Sequence, residues 1–120
     1  TAPLDSHQCE RLAKRACLGL ARTGSIGADG SGEFAIAFST AYRVPRETPT
    51  GIVTHGSLVS GSLTPGDKGL DLIFLAAIEA TEEAALNALF TATTVTGRAG
   101  HTLFAIPLEP TLEALRRGYP

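Results

Sequence analysis

The chain has 120 residues, with ten Lys and Arg against twelve Asp and Glu, a net charge of −2 and a pI of about 5.8. An apolar content of 43% with only 18% charged residues excludes a disordered chain and fits one compact domain, residues 1–120. The charge balance excludes binding of nucleic acid by phosphate attraction, and the longest apolar run, Leu72–Ile78, is far too short to span a membrane.

Met is absent, and the chain begins Thr1-Ala2-Pro3. The polypeptide is therefore processed or cut from something longer, either as a fragment or as a subunit released by programmed cleavage. No secretory leader is legible, because the first residues read as a soluble helix. That helix runs from about Asp5 to Leu20. Asp5 caps it, and Gln8, three residues on, completes a box-like pattern. Cys9, Leu12, Ala13, Ala16, Cys17 and Leu20 share one face, while Glu10, Arg11, Lys14 and Arg15 point the other way. The two cysteines are eight residues apart, about 12 Å at the helical rise. A disulfide tolerates roughly 7 Å between Cα atoms. Both cysteines read as small buried residues in a reducing, cytoplasmic compartment.

Ala21 to Gly32 is a glycine-rich connection. Residues 33–40 follow, with Phe34, Ile36 and Phe38 alternating with Ala35, Ala37 and Ser39. That period of two predicts a strand covered on both sides, central in its sheet. Residues 42–69 are broken by prolines and glycines, with a short strand near Ile52–Val59. The pattern from Leu70 to about Thr93 is helical. Leu70–Ile78 is apolar nearly all round, which predicts burial, and Thr81-Glu82-Glu83 reads as a possible fresh start after a break. Residues 96–100 end this helical stretch. Leu103–Ile106 reads as a short strand. Pro110–Arg117 is a last helix, stopped by Gly118 after Arg116 and Arg117. The fold class is α/β or α+β, with helices on both faces of a sheet.

The glycine-rich connection is not a phosphate cradle. Such cradles run strand, loop, helix, so that a helix N-terminus meets the anion, and here the order is helix, loop, strand. Asp29-Gly30-Ser31-Gly32-Glu33 lacks the spaced acids of a calcium loop. His7, His55 and His101 have no metal-ligand spacing, so no zinc site is expected. Ser31 and Glu33 stand out, because residues two apart in an extended segment project to the same side. A hydroxyl and a carboxylate facing one spot suit support of a nucleophile or an ammonium group. They equally suit a cap or a solvated strand end. Thr1 has the chemistry of an N-terminal nucleophile, whose own α-amine serves as base. However, a helix follows it closely, and no strand precedes to seat it.

Several spaced motifs then read together. They are Ala2-Pro3-Leu4, His7-Gln8, Arg11-Leu12-Ala13-Lys14-Arg15-Ala16 and Gly19-Leu20-Ala21-Arg22-Thr23-Gly24, followed by Gly30-Ser31-Gly32-Glu33, Ala37-Phe38-Ser39-Thr40-Ala41, Ile78–Ala84 and Thr96-Gly97-Arg98. Across nearly the whole chain this order resembles the C-terminal (β) subunit of the self-processing L-aminopeptidase/D-amino-acid esterase family. The β-peptidyl aminopeptidases, a nylon-oligomer hydrolase and a carbapenem-pathway pantetheine hydrolase belong to that family. The resemblance implies a four-layer αββα sandwich built with an α subunit from the same precursor, and a homo-oligomer of such αβ units. It implies an N-terminal Ser or Thr nucleophile, freed by self-cleavage, that hydrolyses short peptides or small amides and esters through an acyl-enzyme. It places that nucleophile at the head of a buried strand roughly eight residues ahead of Thr1, an ordinary strand length. It also implies that Ser31 and Glu33 support the nucleophile's hydroxyl and amine. A small-molecule amidase of the pantetheine-hydrolase kind, and a non-catalytic domain of the same fold, are the alternatives.

Overall fold

Asp5 starts the first helix, α1 (Ser6–Arg22), as its residue type and spacing predict. Its side chain accepts from the Gln8 backbone N–H at 2.7 Å, and Gln8 Oε1 accepts from the Asp5 N–H at 3.1 Å. Two of the helix-end donors that lack intrahelical partners are thus satisfied reciprocally. At the other end, Thr23 Oγ1 donates to the Leu20 carbonyl at 2.8 Å. On the outer face, Lys14 lies 2.6 Å from Glu10 one turn away. The hydrogen bond from Lys14, reinforced by its charge, holds the Glu10 carboxyl below its ordinary value.

The computed structural model describes residues 1–59 and 69–118. They divide into two compact units, Thr1–Glu82 and Glu83–Pro120. The division falls inside the long helix α2 (Gly69–Thr91). In the first unit, Leu4, Cys9, Leu70 and Phe74 form the buried core, with Ala2, Leu12, Ala37, Leu58 and Ile73 packed against it. The guanidinium groups of Arg11 and Arg15 lie 5.0 and 4.3 Å from the centre of the Phe74 ring. They cover it as cations over a π face while their heads stay near water. Arg22 pairs with Glu82 at 3.1 Å. Beside that pair, α1 and α2 approach backbone to backbone at Gly19, where a Cβ atom would sit 2.5 Å from the Ile78 carbonyl oxygen.

Several sequence expectations need correction. Helix α2 has no break at Thr81. Thr81 Oγ1 donates to the Ala77 carbonyl at 2.8 Å, a bond back along its own helix rather than a cap. The apolar first half of α2 is buried on one side only. Leu70 and Phe74 are covered, while Leu72 and Leu75 are exposed. Cys9 is buried as expected, but Cys17 is exposed. Both thiols are free. Residues 33–40 are not a paired strand among the described residues, and neither are 52–59. The alternation is nonetheless real. Ala37 and Ser39 are half-buried, and Ala35 and Ala37 line a groove with Leu12, Ala16 and Ala77 of the two helices. Phe34, Ile36 and Phe38 are exposed, Phe34 at 98%, and Ile36 and Phe38 border the same groove. A strand forms only against a neighbour. Here residues 33–40 border the two helices on their small face, and among the described residues no strand pairs along their edges.

In the second unit, α2 ends at Thr91 and a short antiparallel ribbon follows. Strand β1 (Val95–Thr96) pairs with β2 (Thr102–Leu103), Val95 opposite Leu103 and Thr96 opposite Thr102. The strand expected at 103–106 is therefore shorter and begins a residue earlier. The intervening turn uses Ala99 at φ 57° and Gly100 at φ 77°. Helix α3 (Leu108–Arg117) ends as predicted, with Arg116 and Arg117 in its last turn and Gly118 at φ 76°. The architecture is α+β. Among the described residues no helix is long and apolar enough to cross a membrane.

Candidate active site

The N-terminal segment ahead of α1 is firmly seated. Leu4 is buried in the core, which anchors one end. The Leu4 N–H donates to the Ala2 carbonyl at 2.9 Å, closing a tight turn over Pro3. Two stretches of chain distant in sequence then grip its backbone. From one side Ser39 Oγ donates to the Ala2 carbonyl at 2.7 Å. From the other the Leu58 N–H donates to the Pro3 carbonyl at 2.9 Å. Gln8 Nε2 donates to the carbonyl of that same Leu58. Gln8 is only 1% exposed, so one buried amide ties the helix cap to the residue that holds Pro3.

Ser31 and Glu33 come together as their spacing predicts. A turn over residues 28–31 delivers them. The Ser31 N–H donates to the Ala28 carbonyl at 2.9 Å, and Gly30 takes the positive φ of 84° that such a turn needs at its third position. Ser31 Oγ then donates to Glu33 Oε1 at 3.1 Å. Both residues are exposed. Glu33 also forms part of the wall of a cleft of about 220 Å³, shared with Cys17, Leu20 and Ile26. The pair offers a carboxylate already oriented by a neighbouring hydroxyl, an arrangement able to hold a cation or steady a reacting hydroxyl. Among the described residues no hydrogen bond or ion pair joins Ser31 or Glu33 to Thr1, which is itself exposed.

The histidines do not converge. His7 is exposed on α1, His55 packs against the Tyr42 ring with centroids 4.6 Å apart, and His101 lies in the turn before β2. Among the described residues no cluster of His, Cys, Asp or Glu is placed to hold a metal ion. Two residues that shape the site escape a sequence reading. Gln8 is legible as a capping residue, yet its burial and its reach to Leu58 are not. The available signal is its spacing, four residues before Leu12 and therefore on the apolar stripe of α1. Ser39 carries no signal beyond its place on the small face of residues 33–40.

Comparison with known proteins matches nearly the whole chain. The chain is 42% identical over 118 residues to the β-peptidyl aminopeptidase BapA of Sphingosinicella microcystinivorans. It is 34% identical over 119 residues to the β-peptidyl aminopeptidase BapA of Sphingosinicella xenopeptidilytica. It covers 28% of the length of each of these relatives. Its fold superimposes with a TM-score of 0.81 on the PH0078 protein from Pyrococcus horikoshii OT3, at 40% identity, covering 97% of this chain and 31% of that one. The description of peptidase family S58 matches residues 1–103. With nearly the whole chain matched in both sequence and fold, this protein belongs to peptidase family S58.

Proposed function

We propose that this chain is the C-terminal (β) subunit of a self-processing N-terminal-nucleophile amidohydrolase, an aminopeptidase acting on short peptides and amino-acid amides or esters. The observation that carries this reading is the end-to-end match to two β-peptidyl aminopeptidases, of which the chain spans under a third. The remaining length is room for an α subunit from the same precursor. Residues 1–120 are then one part of a four-layer αββα sandwich, repeated in a homo-oligomer of αβ units. The exposed side chains of Phe34, Ile36 and Phe38 are the kind of surface such a sandwich covers. Two free thiols fit a cytoplasmic setting.

In this reading the nucleophile is a Ser or Thr roughly eight residues ahead of Thr1, one strand length away. Its hydroxyl oxygen attacks the substrate carbonyl carbon, and its own α-amine takes the hydroxyl proton. The tetrahedral intermediate expels the leaving amine, which receives that proton, and an ester-linked acyl-enzyme remains. Water then adds to the ester, releasing the acid and restoring the hydroxyl. Ser31 and Glu33 stabilise the ammonium that forms when the amine is protonated, since an opposite charge nearby favours the charged state. No metal or other cofactor takes part.

Substrate class is tested on the full-length protein with a panel of α- and β-aminoacyl nitroanilides beside pantetheine amides. Turnover of the aminoacyl compounds is expected. Turnover of pantetheine amides alone overturns the aminopeptidase assignment in favour of a small-molecule amidase. Turnover of neither, in a chain that remains uncut, points to a non-catalytic domain.

A further inference from the structure

The seat of the N-terminal segment is built from side chains as well as backbone, and that construction has a purpose only if the segment's position matters. Ala2, Pro3 and Leu4 contribute no reactive group. Even so, the carbonyls of Ala2 and Pro3 are both taken up. Ser39 donates to that of Ala2 at 2.7 Å, and Leu58 donates to that of Pro3 at 2.9 Å. Leu58 is in turn fixed from the helix side, because Gln8 donates to its carbonyl while accepting from the Asp5 N–H. A fully buried amide side chain is costly unless its polar atoms are paired, and Gln8 is 1% exposed. An apolar residue at this position would fill the core without that demand. Gln8 thus gives up simple packing for a fixed link between residues far apart in the chain.

We propose that Ser39 and Gln8 are positioning residues that clamp the Ala2–Leu4 backbone, and through it set the place of the nucleophile that precedes the segment. The proposal rests on the functional reading above, in which the attacking hydroxyl lies one strand upstream. A strand is stiff along its axis, so a shift at its anchored end is passed to its other end. Displacement of reacting atoms by about an ångström can cost on the order of 10²-fold in rate. Neither side chain touches the substrate in this account. Ser39 acts on the Ala2 carbonyl directly, and Gln8 acts through Leu58.

The test uses the full-length precursor and four variants. Ser39→Ala and Gln8→Met each remove one arm of the clamp while keeping similar volume, and Ser39→Thr restores a hydroxyl. Self-cleavage half-time, kcat, KM and Tm are measured for each. Leu12→Ala serves as the comparison, since it removes apolar contact with the same core and leaves both arms in place. The clamp predicts self-cleavage slowed and kcat lowered by roughly 10- to 100-fold in Ser39→Ala and Gln8→Met, with KM nearly unchanged. It predicts recovery in Ser39→Thr, and near-normal rates in Leu12→Ala despite a similar fall in Tm. If the wild-type precursor cleaves and both variants match it, or if Leu12→Ala slows as much as they do, the clamp is wrong and the functional reading stands. If the wild-type precursor never cleaves, the functional reading fails, and the clamp falls with it.

Discussion

Replacing Glu33 with Gln is expected to lower turnover by on the order of 10²-fold, the scale of a positioned acid or base. Folding is expected to be unaffected. Glu33 is exposed, and its hydrogen-bonded neighbour is Ser31 at 3.1 Å. A Gln side chain keeps an oxygen to accept that bond, so the turn at residues 28–31 survives. The negative charge alone is lost. In the role proposed for Glu33, the α-amine of the nucleophile then loses the partner that favours its protonated form, and the transition state in which that amine gains a proton becomes harder to reach. The same change lowers the ground-state pKa of the amine, so the acid limb of the kcat/KM profile is expected to move to lower pH. Steady-state kinetics across pH, with thermal unfolding in parallel, measure both effects. Unchanged turnover would return Glu33 to the role of a solvated strand end.

The second large effect concerns stability. Gly19→Ala is expected to destabilise the protein by about 1–3 kcal/mol, the usual cost of overpacking. Two terms oppose each other here. Inside a helix Ala is favoured over Gly by about 1 kcal/mol. Against that, the added Cβ would lie 2.5 Å from the Ile78 carbonyl oxygen and 2.6 Å from Thr81 Cβ. Both obstacles belong to the regular part of α2 and cannot swing aside as the end of a long side chain can. The helices must separate, and that disturbs the contacts of Phe74 with α1 and the Arg22–Glu82 pair. The overlap outweighs the propensity gain. Urea unfolding of the full-length protein measures the difference, and an equal or higher midpoint would show that α1 and α2 do not pack through this glycine.

Local signals were readable and non-local ones were not. Asp5 and Gln8 announce the start of α1, and Arg116, Arg117 and Gly118 announce the end of α3, because cap chemistry is settled within a few residues. The convergence of Ser31 and Glu33 was equally legible, since it follows from the two-residue period of extended chain. Thr81 misled for a physical reason. A threonine followed by two glutamates has the composition of a helix start, yet its hydroxyl is satisfied equally well by a carbonyl one turn back in a continuing helix. Residues 33–40 carried a strand's alternation, but pairing depends on what lies alongside, which no single segment encodes. Cys17 shares the apolar stripe of α1 and is still exposed, because the stripe records which face is meant to be covered and not what covers it. Gln8 is the deeper lesson. As a polar residue it defaults to the surface in any sequence reading, and only the fold shows that its amide spans 50 residues to reach Leu58.

In the proposed function the chain is one part of a hydrolase that divides itself to release its attacking group. Intact-mass measurement of the purified full-length precursor, followed by sequencing of the new amino terminus, tests it most directly. The account predicts two fragments whose masses sum to the precursor, with a Ser or Thr heading the smaller one about a strand length ahead of Thr1. It also predicts that changing that residue to Ala leaves the chain whole. A single uncut polypeptide in an active preparation, or a new terminus without a hydroxyl side chain, would contradict it.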